Sequence, residues 1–82
     1  MWWVYIVECV DNSLYTGITT NIDRRIKEHN TSNKGAKYTR SRRPVSLVYK
    51  ESCENRSIAS KREYEIKKLK RADKLLLAFK SK

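Results

Sequence analysis

The chain has 82 residues, 39% apolar and 34% charged, which is enough for one modest core and too little for two domains. Nineteen Lys and Arg stand against nine Asp and Glu, a net charge of +10. No run approaches the ~18 apolar residues of a membrane-spanning helix, and the apolar start Trp2 to Val7 ends at Glu8 with no basic segment before it, so neither a membrane protein nor a secretory precursor is expected. The expectation is a single cytoplasmic domain over 1–82.

The first element is Trp2 to Cys9, dense in aromatic and β-branched residues. After the turn-prone Asp11-Asn12-Ser13, Leu14 to Thr19 completes a predicted β-hairpin. Asn21 can cap a helix that begins at Ile22 and runs to about Asn30, with Asp23 well placed in its first turn. Residues 31–44 read as a basic loop. Val45 to Tyr49 predicts a third strand, and from about Asn55 a long helical stretch carries Ile58, Ala59, Ile66 and Leu69 at helical spacing. A last helix is expected around Asp73 to Phe79, with no Gly or Pro near Arg71 to mark it off from the one before. The fold class is therefore α+β, helices covering a small sheet that contains an antiparallel hairpin.

Charge is distributed unevenly. Residues 1–20 hold no Lys or Arg and two acids, Glu8 and Asp11, so every cation falls in residues 21–82. Clustered positive charge points first to a polyanion, because neutralising phosphates releases counterions. The basic stretches carry too few adjacent aromatics or leucines for a membrane-surface anchor, so nucleic acid is the expected partner and membrane is not. Cys9 and Cys53 are isolated, which predicts two reduced thiols and neither a disulfide nor a zinc site.

Spacing singles out several side chains. At about 100° per residue Ile22 and Ile26 centre the apolar face of the first helix, with Arg25 and His29 beside it and Arg24, Lys27 and Glu28 turned away. Taken alone, that is also the pattern of an ordinary core border. Tyr5 and Tyr15 share a sheet face only if paired residues sum to an even number, which a three-residue turn at Asp11-Asn12-Ser13 would give. Gly17 then leaves room beside Tyr15 on that face. On the long helix Glu63 and Glu65 lie about 90° and 70° to either side of the apolar stripe, so periodicity does not choose between them.

Val4-Tyr5-Ile6-Val7, then Leu14-Tyr15-Thr16-Gly17-Ile18-Thr19, with Arg25 ten and His29 fourteen residues after Tyr15, resembles the GIY-YIG nuclease superfamily. The segments Gly35 to Thr39 and Arg62 to Leu69 look like its small stand-alone bacterial members, the YhbQ-like group. This resemblance implies a three-stranded antiparallel sheet flanked by helices and metal-dependent hydrolysis of a phosphodiester. It implies Tyr5 and Tyr15 as paired active-site tyrosines, Arg25 as the phosphate clamp, His29 as an orienting or proton-transferring group, and Glu63 as ligand to one Mg²⁺ or Mn²⁺.

In this reading Tyr15 is the candidate general base and Tyr5 its partner or an alternative base. Positive charge from Arg25 or metal would have to lower the pKa of a phenol before it could serve. Lys34, Lys37, Arg40, Arg42 and Arg43 would track a nucleic-acid backbone, with Tyr38 stacking on a base. The first expectation is thus a DNA endonuclease acting in repair or recombination, whose substrate choice is supplied by an attached domain or protein partner. The second is a non-catalytic nucleic-acid-binding module, for DNA before RNA, that keeps the fold.

Overall fold

A computed structural model describes residues 1–31 and 34–80 of the chain. Its elements run β1 (Trp2–Glu8), β2 (Leu14–Thr19), α1 (Ile22–Thr31), α2 (Lys37–Arg40), β3 (Ser46–Cys53), α3 (Arg56–Lys67) and α4 (Arg71–Lys80). The expected α+β class holds: three antiparallel strands in the order β2-β1-β3, with helices against the sheet.

The hairpin closes by a turn one residue earlier than expected. Tyr5 pairs with Gly17 and Val7 with Tyr15, so the even-sum parity is met, but the loop is Val10-Asp11-Asn12. The Cys9 amide donates to the Ser13 carbonyl at 2.8 Å, and the Asn12 amide donates to the Cys9 carbonyl at 2.9 Å. Asn12 sits at φ 67°, the left-handed position that ends a three-residue hairpin loop and that asparagine tolerates. Asp11 then accepts from the Ser13 amide and hydroxyl, which fixes the turn.

Alternation along β1 divides the core. Val4 and Ile6 pack with Cys53, Ala59 and Ile66 on the side covered by α3, while Tyr5, Val7 and Cys9 pack with Val45 and the half-buried Ile22 and Ile26 on the side covered by α1. Helix α1 starts at Asn21, whose side chain accepts from the Arg24 amide at 3.0 Å, and α3 starts at Asn55, which does the same for Ile58 at 2.9 Å.

Three details depart from the sequence reading. The expected loop 31–44 contains the one-turn helix α2; Ser32 and Asn33 of that loop lie outside the described residues. Strand β3 continues through Lys50, Glu51 and Ser52 to Cys53, four residues past the expected end, because backbone pairing to β1 and the Glu51–Arg62 ion pair hold a stretch with no apolar alternation. Between Ile6↔Tyr49 and Val7↔Leu47 the register shifts by one, so Val48 is the extra residue of a bulge, and Val48 and Tyr49 both pack on the Ile6 side. The expected last helix is present as α4, set apart from α3 by residues 68–70, and its Leu77 returns to the core.

Candidate active site

Tyr5 is the anchor of the site. It is 1% exposed, and its ring lies across Gly17 of the neighbouring strand. A Cβ at Gly17 would come 2.5 Å from the Tyr5 hydroxyl and 2.7 Å from Cζ, so only glycine leaves room for the ring. Burial pushes the Tyr5 phenol up to about 12, with the charges of Tyr15 and Glu63 adding to the rise and Arg25 opposing it.

The Tyr5 hydroxyl is 2.8 Å from His29 Nε2. His29 is fully buried, not a border residue, and its Nδ1 is 2.8 Å from the Thr39 hydroxyl, itself fully buried. Thr39 in turn donates to the Ala36 carbonyl at 2.9 Å. Burial and then the Arg25 charge pull His29 down to about 4, with Arg43 acting in the same direction. Neutral imidazole is thus the resting form at physiological pH.

Arg25 and His29 project from one face of α1. The Arg25 guanidinium donates to the Lys34 carbonyl at 2.8 Å and to Glu28 Oε1 at 3.1 Å, and its charge and hydrogen bonding reach Tyr5. The segment after α1 can close this tightly because position 35 is glycine: a Cβ there would come 2.8 Å from the Glu28 carbonyl oxygen. Arg43 Nε donates to the His29 carbonyl at 2.6 Å, tying the end of the basic segment back to α1.

Tyr15 presents its ring edge-on to His29 at 5.5 Å and stacks on Tyr38 at 5.9 Å, and Arg42 lies 4.0 Å over the Tyr38 ring. Arg42 also pairs with Asp11 at 3.1 Å and donates to the Tyr38 carbonyl at 2.8 Å. Arg42 and Tyr38 are therefore engaged in holding α2 against the hairpin. Lys37 and Arg40 on α2 are exposed, as is Lys34.

The structure distinguishes the two carboxylates of α3. Glu63 is three-quarters buried, pairs with Lys67 at 3.2 Å, and is near enough to Tyr5 for its charge to bear on the phenol. Glu65 is 59% exposed and pairs with Arg62, on the side of Tyr49 and Glu51. No cluster of three or more His, Cys, Asp or Glu able to hold a metal occurs among the described residues. A lone, partly buried carboxylate suits Mg²⁺ or Mn²⁺, which keep most of their waters and take one or two protein oxygens beside substrate phosphate.

Of the residues singled out in the sequence, Tyr5, Tyr15, Gly17, Arg25, His29 and Glu63 are brought to one region. Thr39 and Glu28 were missed. A threonine inside a basic loop carries no periodic signal, and Glu28 was placed on the outward face although it reaches back to Arg25.

Paired tyrosines on an antiparallel hairpin, followed by an arginine and a histidine on α1 and a carboxylate on α3, have the arrangement of the GIY-YIG family. The chain belongs to that family: the GIY-YIG catalytic domain model matches residues 1–76. It is 74% identical over 68 residues to UPF0213 protein DP2720 of Desulfotalea psychrophila, covering 83% of this chain and 62% of that one, so it spans under two thirds of that relative's length. UPF0213 protein SH2523 of Staphylococcus haemolyticus is 60% identical over 73 residues, 89% of this chain and 88% of that protein. The solution structure of UPF0213 protein BH0048 from Bacillus halodurans aligns with a TM-score of 0.58 at 51% identity, covering 94% of this chain and 82% of that chain. That of EF2693 from E. faecalis aligns at 0.60 and 40% identity, covering 98% and 86%. A UPF0213 protein of Haloquadratum walsbyi is 57% identical over 76 residues, 93% of this chain and 84% of that protein.

Proposed function

We propose that the chain is an endonuclease that hydrolyses phosphodiester bonds of DNA in the cytoplasm, with nucleic-acid repair or recombination as its setting. The observation that carries this reading is the Tyr5 hydroxyl, 2.8 Å from a neutral imidazole nitrogen and flanked by the Arg25 charge. Hydrolysis needs a deprotonated water, compensation of charge on the phosphate oxygens, and departure of the leaving oxygen.

Of the two candidate bases we assign the role to Tyr5, a choice supported by the 2.8 Å contact of its hydroxyl with His29 Nε2. Water oxygen bonds to phosphorus while its proton passes to Tyr5 Oη. Tyr5 gives its own proton to His29 Nε2, so no free tyrosinate with a pKa near 12 has to form. The P–O bond to the leaving oxygen breaks with its electron pair, and that oxygen takes a proton from solvent. His29 then returns its proton to water.

Arg25, already fixed by Glu28 and the Lys34 carbonyl, faces the phosphate oxygens with a preset charge. Tyr15 fills the wall beside His29 and keeps its ring from turning. Glu63, with water and substrate phosphate, would hold a divalent ion, which supplies neutralisation of phosphate charge when bound. Lys37 and Arg40 lie outside this centre and would meet the flanking backbone.

The test is incubation with labelled branched, single-stranded and duplex DNA, and with matched RNA, in Mg²⁺, Mn²⁺ or chelator. Cleavage that needs the ion and falls about 10²–10³-fold in Tyr5→Phe and Glu63→Gln, with binding kept, supports the reading. Salt-sensitive binding without cleavage in any condition replaces it with the non-catalytic binding module that the net charge of +10 also suits.

A further inference from the structure

The His29 ring lies between two hydroxyls, and its two nitrogens do different work according to which carries the hydrogen. Three hydrogens are available along the chain Tyr5, His29, Thr39: one phenolic, one on the imidazole, one on the threonine. Three acceptors stand in line for them, at Nε2, at Thr39 Oγ1 and at the Ala36 carbonyl, at 2.8, 2.8 and 2.9 Å. Every hydrogen finds a partner only when Thr39 donates to Ala36, Nδ1–H donates to Thr39, and Tyr5 donates to Nε2. The opposite arrangement turns the Tyr5 hydrogen away from His29 toward Arg25, a donor that cannot receive it, and so gives up the one protein acceptor within hydrogen-bond reach.

Thr39 is placed to impose this order. It is fully buried in α2, and both its amide and its hydroxyl point to the Ala36 carbonyl, at 3.0 and 2.9 Å. Arg42 helps hold that turn, its amide donating to the Thr39 carbonyl at 3.0 Å and its side chain pairing with Asp11.

We propose that Thr39 is a positioning residue: by accepting Nδ1–H it locks His29 in the tautomer whose Nε2 lone pair receives the Tyr5 proton. The inference rests on the nuclease reading for its catalytic consequence but not for its structural content. It makes the basic segment part of the site's proton path, a role apart from any contact that segment makes with nucleic acid.

His29 is the only histidine in the chain, so imidazole ¹⁵N NMR reads its tautomer without assignment ambiguity. The expected spectrum at neutral pH has a protonated Nδ1 and an unprotonated Nε2. Thr39→Val, nearly isosteric, is expected to shift the population toward Nε2–H and to lower kcat about 10²-fold with little change in KM. Thr39→Ser restores both.

A wild-type spectrum with Nε2 protonated overturns the proposal, as does a Thr39→Val protein with unaltered tautomer. An altered tautomer in Thr39→Val with unaltered kcat overturns the catalytic half. If Thr39→Val does not fold, the wild-type and Thr39→Ser spectra decide. If the wild type cleaves nothing, the nuclease reading fails while the spectra still settle whether Thr39 sets the imidazole.

Discussion

Val4 and Ile6 face one side of the sheet and Tyr5 faces the other, and the two sides are built from different materials. On the α3 side the contacts are aliphatic: Val4, Ile6, Ala59 and Ile66 are each fully buried. On the α1 side, beside Val7, a phenol, an imidazole and a threonine hydroxyl are fully buried and joined end to end. One side stabilises through apolar area removed from water; the other holds buried polar groups that are affordable only because each is hydrogen-bonded. A single strand can serve both because successive side chains alternate.

Substitutions should separate the two sides. Ile66→Ala leaves a hole in the aliphatic side and is expected to cost about 2–5 kcal/mol in urea unfolding, with the Tyr5–His29 bond kept in whatever protein remains folded. A loss below 1 kcal/mol would mean that α3 is not the stabilising cover.

The polar side should answer to pH instead. His29 titrates at about 4 when folded against an ordinary 6.5, so the unfolded chain binds the extra proton in that interval. Stability is then complete above pH 6.5 and declines as pH falls toward 4, by about 2 kcal/mol down to about pH 5, where carboxylates contribute little. Urea midpoints at pH 7 and 5 measure it, and His29→Gln should flatten the slope.

Gly17→Ala places a methyl 2.5 Å from the Tyr5 hydroxyl, and moving that ring is expected to cost about 1 to 2 kcal/mol. The tyrosine ring signals in an aromatic NMR spectrum should shift while the Val4 and Ile6 methyls do not. The smallest effect belongs to Arg62→Ala at the half-exposed Glu51 pair, under about 1 kcal/mol and shrinking in salt.

What the sequence made legible follows the same division. The hairpin and α1 were readable because alternation, a turn cluster and an asparagine cap are local signals. The end of β3 was not, since Lys50-Glu51-Ser52 extends by pairing with β1 and not by its own pattern. The roles of the tyrosines, Arg25, His29 and Glu63 came from the family resemblance, since periodicity alone left Glu63 and Glu65 level; the packing of α3 separates them. Thr39 escaped because its role depends on a fold-level meeting between α2 and α1 that no spacing encodes.

The bulge at Val48 has a bearing on how the molecule behaves in company. β3 is an outer strand, and an outer strand with a straight ladder of open amides and carbonyls invites a neighbour to add on. Here the extra residue kinks that margin, and Lys50 stands exposed two positions beyond it, so a second chain approaching in register meets a step and a charge. The distortion that turns Val48 and Tyr49 inward together thereby also makes this margin a poor template for a further strand.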